Sequence, residues 1–205
     1  MDAEEKQIPV TTTKRSFNSD NRLRLLAAIY EDRYFKDVRM EVMGLKNRYF
    51  KHQIEHDGRL LEVYDDSMGD TGISIMHKYV FLYQEMGEEN KNLSGLCDVE
   101  KREIWVNSET VTTDEDIELT LLHEMIHGYE GILPENYRQL LVLFLYEKLA
   151  KRIGKRKLDR FMKIDQNSIL LVHTPLFLLK SLTIDLARRL PLGTIYAYRR
   201  EEMFG

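Results

Sequence analysis

The chain has 205 residues, of which 43% are hydrophobic and 31% are charged. This composition is that of one globular domain with its own core rather than a series of small modules. The 30 basic and 34 acidic side chains leave a formal net charge of -4, which argues against a protein that coats nucleic acid over its whole surface. A single cysteine, Cys97, excludes an intramolecular disulfide framework. The longest uncharged stretch, 166–179, is too short for a membrane span, so we expect a cytoplasmic protein.

The first half of the chain predicts a tail, a helix and a small sheet. Residues 1–17 are polar and lack apolar periodicity, so we expect a flexible tail before a single domain over 18–205. A helix is expected to begin at one of the capping residues 18–20 and to run to about Tyr34. Alternating residues and turn signals then predict a small twisted sheet. Its expected extended segments are 38–42, 49–54, 60–64 and 73–83, and a hairpin that pairs Leu96-Cys97 with 104–106.

The rest of the chain is predicted to be helical. Capping residues, glycines and prolines punctuate it at regular distances. We therefore expect an α+β fold class, with a sheet-containing part over 18–130 and a helical part over 131–205. The expected helices run from about Asp114 to Gly131, from after Pro134 to Gly154, over 155–163, and over 168–189 with an interruption or kink at Pro175.

The predicted helix before Gly131 contains His123-Glu124-Met125-Ile126-His127. Residues four apart lie one turn apart on the same helical face, so the two imidazoles can bind one metal ion. Zinc held by neutral histidines with one open position lowers the pKa of bound water to about 7, and the adjacent Glu124 can take a proton from that water. The pattern predicts a zinc site with His123 and His127 as ligands and Glu124 as the catalytic base.

The segment Thr120–His127, preceded by the expected strand 103–107, resembles the zincin metallopeptidases. It is most similar to their SprT-like branch, over the range Ser94–Glu130. The resemblance implies a zincin-like fold: a small twisted sheet with a backing helix, the motif helix, and a helical C-terminal part. It also implies zinc-dependent hydrolysis of peptide bonds in a protein or peptide substrate inside the cell.

The third zinc ligand is where the zincin branches differ. The SprT-like branch uses a histidine shortly after the motif, and here the next histidine is His173, 46 residues after His127. The gluzincin branch uses a glutamate on the following helix, often in a Glu-x-x-Ala pattern, which Glu147-Lys148-Leu149-Ala150 matches. The resemblance to gluzincins implies Glu147 as the third ligand.

Helix geometry places a condition on Glu147. At a rise of about 1.5 Å per residue, Glu147 lies opposite the motif histidines if its helix begins near Gln139, but it overshoots if the helix begins at Pro134. We therefore expect 132–138 to be largely loop, or the two helices to cross steeply. Glu130, Glu135 and His173 remain alternative third ligands.

Two further features bear on a peptidase. The strand 104–106 resembles the zincin edge strand, to which an extended peptide can add by main-chain hydrogen bonds, although an ordinary core strand is also consistent with its sequence. Three side chains are candidates to stabilise the oxyanion of the tetrahedral intermediate. They are Tyr129, Tyr146 and His173.

A basic stretch follows in the helical part. Residues 148–163 hold eight basic side chains and one acid, Asp159. Such a stretch can bind the phosphates of a nucleic acid, but we favour an ordinary solvated surface because the basic side chains spread round several helix faces. The alternative function is therefore a catalytically inactive zincin-like domain that binds protein or DNA through its basic C-terminal helices. The basic side chains are Lys148, Lys151, Arg152, Lys155, Arg156, Lys157, Arg160 and Lys163.

Overall fold

A computed structural model describes residues 16–35, 51–56, 59–64, 75–133, 135–167 and 173–197. Nearly all of the expected tail and all of the expected strand 38–42 lie outside the described residues. The fold class is α+β, as predicted. The elements are α1 (Ser16–Tyr30), a π-helical turn (Glu31–Phe35), β1 (Lys51–His56), β2 (Arg59–Tyr64), α2 (Ile75–Lys78), β3 (Val80–Gln84), β4 (Gly95–Asp98), β5 (Glu103–Asn107), α3 (Asp114–Ile132), α4 (Glu135–Ile153), α5 (Lys155–Asn167), α6 (Pro175–Arg188) and α7 (Thr194–Ala197).

The first helix is confirmed, and it is continuous with the π-helical turn. Its buried residues Leu23, Ala27 and Tyr30 follow the i, i+4, i+7 spacing of one helical face. That face packs α1 against β3 and α3. Outside the core, Arg22 pairs with Asp114 at 2.7 Å, which ties α1 to the start of α3.

The extended segments expected over 49–54 and 60–64 are confirmed as one hairpin, because β1 and β2 pair antiparallel with His56 opposite Arg59. The extended segment expected over 73–83 is wrong in its first half, where α2 forms. The Glu31 carboxylate accepts the backbone N–H groups of Ile75 at 3.0 Å and Met76 at 3.1 Å. A residue 44 positions earlier thus provides the hydrogen-bond acceptor that the free N–H groups in the first turn of α2 need. Local sequence patterns do not reveal such a long-range contact.

The second hairpin is also confirmed, since β4 and β5 pair antiparallel with Cys97 opposite Ile104. The three-stranded sheet has the order β3-β5-β4, and β3 runs parallel to β5. Of the two alternatives left open for 104–106, the core strand is confirmed and the edge strand is wrong, because β5 has a partner on each side. Ile104 and Val106 are buried, as expected of a central strand. Among the described residues, β4 forms one edge of this sheet.

The motif helix α3 begins as predicted. Thr113 is the N-cap, and its hydroxyl accepts the backbone N–H of Asp116 at 3.1 Å. The helix does not stop at Gly131, which stays helical and serves packing instead. A Cβ added there would lie 2.7 Å from the Tyr79 hydroxyl and 2.8 Å from Val99, so only glycine allows this close approach.

The remaining helices revise three expectations. The second helix is confirmed, but because α4 begins at Glu135, the loop expected over 132–138 is wrong. The basic helix α5 runs to Asn167 rather than 163. Pro175 begins α6 instead of kinking a longer helix, and Thr174 is the N-cap that accepts the Phe177 N–H at 3.1 Å. The preceding part of that predicted helix, 168–172, lies outside the described residues.

Helix α3 lies at the centre of these elements. It contacts β4 and β5 of the sheet, and also α1, α6 and α7. Its residues Leu121, Leu122, Met125 and Ile126 are fully buried, so the helix that carries the motif is enclosed by the fold. In the described part of the chain, no helix combines the length and the apolar character that a membrane span requires.

Candidate metal centre

Three histidines from two parts of the chain form one cluster. His123 and His127 lie one turn apart on α3, and His173 directly precedes the N-cap of α6. One ring nitrogen from each lies within 4.8 Å of the other two. The three side chains are therefore close enough to hold a single metal ion.

The orientation of His123 is set by a backbone group. Its Nδ1 atom lies 2.8 Å from the carbonyl oxygen of Ile195 on α7. A carbonyl can only accept, so Nδ1 carries the proton and Nε2 keeps its lone pair in the neutral ring. That Nε2 atom lies 3.2 Å from Nε2 of His173. Two nitrogens that each bind zinc at 2.0–2.1 Å in a tetrahedral site are about 3.3 Å apart, so the pair fits such a site.

The three imidazoles are neutral at pH 7. Burial, and then the positive charge of a protonated His173, lower the pKa of His127 to about 4. Burial also lowers the pKa of His173 to about 4. For His123, which is 3% exposed, burial and then the neighbouring His127 hold the pKa well below its ordinary value. Neutral imidazole is the form that binds a metal, so the cluster does not have to release protons before it binds an ion.

Aromatic rings enclose the cluster. The ring centroid of Phe177 lies 4.7 Å from that of His123, 4.5 Å from that of His127 and 4.1 Å from that of His173. The Tyr196 ring meets His173 edge to face at 4.9 Å. These contacts exclude water from the side of the imidazoles and restrict their rotation.

Glu124 lies between the motif helix and β4. Its side chain is 4% exposed. A Cβ added to Gly95 would lie 2.8 Å from Cγ of Glu124 and 2.9 Å from its Oε1. Burial, followed by the charge of Glu124, raises the pKa of the Cys97 thiol to about 12. The carboxylate therefore lies directly beside the backbone of a strand that forms one edge of the sheet in the described structure.

Glu130, an alternative third ligand, contacts the cluster indirectly. The Thr174 hydroxyl donates a hydrogen bond to the Glu130 carboxylate. Thr174 is also the N-cap of α6, and it follows His173 in the chain. Glu130 thus links α3 to the segment that carries His173, and it is not among the three side chains that converge.

Glu147 and Glu135 are also not brought into the cluster. Glu147 is exposed on α4, and because α4 begins at Glu135, it lies 12 residues along that helix, about 18 Å by the helical rise. This distance is close to the one expected for a helix that begins at Pro134, at which Glu147 lies beyond the motif histidines. Glu135 is exposed and pairs with Arg138 at 3.3 Å. The structure places His173, not Glu147, beside the two motif histidines.

Two of the three candidate oxyanion residues face other partners. Tyr129 is buried with its ring 5.5 Å from Phe35, and the Tyr146 hydroxyl donates to Asp159. The third, His173, belongs to the cluster itself. The sequence carries no signal for Phe177 or Ile195. Thr174-Pro175, however, is a typical helix start, and it places His173 directly before the N-terminus of a helix.

Comparisons of this chain with protein-family models, with curated proteins and with solved structures find no match. Three neutral imidazoles are a donor set suited to zinc, copper, nickel or iron. With three protein ligands, one coordination position remains for water or substrate, as in catalytic rather than structural zinc sites.

Proposed function

We propose that this protein is a zinc-dependent, zincin-like peptidase in which His123, His127 and His173 bind the metal and Glu124 is the general base. The observation that carries the proposal is the convergence of three neutral imidazoles, one of which, His123, is followed in the chain by the buried Glu124. The motif alone supplies two ligands and the base, and the segment before α6 supplies the third imidazole. We assign the third ligand to His173 in place of Glu147.

Each side chain has a defined task in this proposal. Zinc bound at the cluster would polarise the scissile carbonyl and make water acidic enough to be deprotonated near pH 7. Glu124 accepts the proton of the attacking water and later donates it to the leaving amine. The Ile195 carbonyl keeps the His123 proton on Nδ1, so that its Nε2 lone pair is directed towards the cluster.

The edge strand β4 supports a peptide as the substrate. In the described part of the chain β4 pairs with β5 alone, and its other side is available for an added strand. The close approach of Gly95 to the Glu124 carboxylate would bring a peptide bound along β4 next to the general base. The unpaired thiol of Cys97 favours a reducing compartment, and we place the reaction in the cytoplasm.

Metal content and one isosteric variant test the proposal. Wild-type protein purified without an affinity tag should contain about one zinc per chain by mass spectrometry, and its loss in His173→Ala would identify the third ligand. Glu124→Gln should bind zinc like the wild type but cleave an unfolded protein such as casein about 10²- to 10⁴-fold more slowly, because the general base is lost.

Glu147→Gln is the matched control, since it makes the same chemical change at an exposed glutamate. It should keep both zinc and activity. Loss of zinc in Glu147→Gln but not in His173→Ala would reverse our assignment of the third ligand. Equal rates of cleavage by Glu124→Gln and the wild type would defeat the peptidase proposal.

A second candidate function rests on the basic stretch. Its side chains on α4 and α5 are exposed apart from Lys148, which is partly buried. Asp159, the acid among them, is bound by Tyr146 and Lys155, so the surface is strongly positive and fits a polyanion such as DNA. If the protein only binds DNA, Glu124→Gln should bind DNA as tightly as the wild type, and neither protein should cleave a peptide.

A further inference from the structure

A buried carboxylate on α6 holds the turn that leads into α7. Asp185 is 0% exposed. Its Oδ2 accepts the backbone N–H of Gly193 at 2.7 Å, and its Oδ1 accepts that of Ile195 at 3.2 Å. Gly193 has a positive φ of 94°, a conformation that glycine adopts without strain. The two oxygens of Asp185 therefore fix the course of this turn and the position of the Ile195 backbone.

The same turn contacts the metal centre at two points. The Ile195 carbonyl accepts the Nδ1 proton of His123, and the ring of the next residue, Tyr196, packs against His173. Asp185 is thus linked to His123 through one residue: the Ile195 N–H donates to Asp185, and the Ile195 carbonyl accepts from His123. One carboxylate supports two of the three imidazoles without contacting either.

The position of Asp185 is unfavourable for a carboxylate in other respects. It lies in the last turn of α6, where the helix dipole disfavours negative charge. Burial raises its pKa to about 7, against the opposing effect of the backbone N–H groups that it binds. The backbone N–H groups of the turn are what stabilise the carboxylate in this position, and that turn contacts the metal centre.

We propose that Asp185 is a positioning residue of the metal centre, which orients the Ile195 carbonyl and thereby holds His123 as the Nδ1–H tautomer with Nε2 directed at the ion. The proposal rests on the metal centre described above and adds to it the device that orients one ligand. Partners of this kind typically change metal affinity 10- to 100-fold when they are lost.

The test combines zinc affinity with the tautomer of His123. In Asp185→Asn, one oxygen remains to accept one N–H, and the amide group opposes the other N–H, so the turn loosens and the Ile195 backbone loses its fixed position. We expect zinc affinity, measured by competition with a chelator, to fall at least 10-fold. Nitrogen-15 NMR of the metal-free protein should show His123 as the Nδ1–H form in the wild type and as a mixture in the variant.

Glu118→Gln is the control, because it removes a different carboxylate that links α3 to α6. Glu118 pairs with Arg188 at 2.6 Å and, among the residues that the structure describes, forms no hydrogen bond with the turn. It should change neither zinc affinity nor the tautomer. Wild-type affinity and a single Nδ1–H tautomer in Asp185→Asn would overturn the proposal.

The wild-type spectrum keeps the proposal testable even if Asp185→Asn does not fold, because an Nε2–H form of His123 in the metal-free wild type contradicts it directly. A wild type that binds no zinc, yet shows the Nδ1–H form that Asp185→Asn loses, would remove the peptidase proposal. That outcome would leave the role of Asp185 towards His123 intact.

Discussion

At the scale of single residues, the protonation of the three histidines determines how the site binds metal. Protons and zinc compete for the same nitrogen lone pair, so an imidazole with an ordinary pKa of about 6.5 loses metal as the pH falls through that value. Burial holds His127 and His173 at a pKa of about 4 and His123 well below its ordinary value. The competition is therefore shifted to more acidic solutions.

This shift predicts a flat pH dependence of zinc affinity near neutrality. Three ordinary imidazoles would weaken binding about fifty-fold between pH 7.5 and pH 6.0. For this protein we expect a change of less than about two-fold over that range, with a steep loss only as the pH approaches 4. Competition titrations against a chelator of known pH dependence measure it, and a fifty-fold decrease by pH 6.0 would show that the histidines are not shielded by burial.

At the scale of secondary-structure elements, the contact between β4 and α3 brings an edge strand to the general base. Thr120 and Glu124 lie one turn apart on α3, and both approach Gly95. The absence of a side chain at Gly95 is what allows this distance. Asn107 is fully buried on β5 and holds the segment that leads into β4, because its side-chain amide donates to the carbonyls of Lys91 and Leu93.

Gly95→Ala should therefore impair catalysis more than metal binding. The added methyl group would lie 2.7 Å from Thr120 Cγ2 and 2.9 Å from Glu124 Oε1, so the strand or the carboxylate must move. A displacement of about 1 Å can cost 10²-fold in rate, and we expect kcat to fall about 10- to 100-fold with zinc content unchanged.

Gly87→Ala is the matched comparison for this variant, because a Cβ at Gly87 would meet nothing within 4 Å. Its kcat should equal that of the wild type. If Gly95→Ala retained the full wild-type kcat, the contact between β4 and Glu124 would not matter for catalysis.

At the scale of the whole molecule, the metal would close a long loop in the chain. His123 and His173 are 50 residues apart in sequence, and the segment between them contains α4 and α5. A ligand that binds the folded state alone stabilises it by about 4 kcal/mol at a free concentration of about 1,000 Kd. The cluster exists only in the folded chain, so zinc should act in this way.

Zinc removal should therefore lower the thermal stability of the protein. For a chain of this length, about 4 kcal/mol corresponds to a change of roughly 10 °C in Tm. We expect a chelator to lower Tm by about that amount and added zinc to restore it, as measured by calorimetry. His173→Ala should show no response to zinc, whereas Glu147→Gln should respond like the wild type; an equal response in both variants would mean that zinc is bound elsewhere.

The sequence by itself determined the local features of this protein. Hydrophobic periodicity and capping residues located α1, the β1–β2 and β4–β5 hairpins, α3 and α4, because short-range spacing and backbone propensity control where such elements form. The same local geometry placed His123 and His127 on one helical face, because residues four apart on a helix are neighbours wherever the helix is packed.

Tertiary structure alone decided how these elements meet. The third histidine lies beside the first two because α6 packs on α3, and pairwise contacts across 50 residues leave no periodic signal in the sequence. Glu147 matched a family pattern but is exposed on α4, and the start of this helix at Glu135 places it far from the motif histidines along the helix axis. The central position of β5, the approach of Gly95 to Glu124 and the support of His123 through Ile195 likewise depend on packing between distant segments, where shape and burial rather than local propensity determine the outcome.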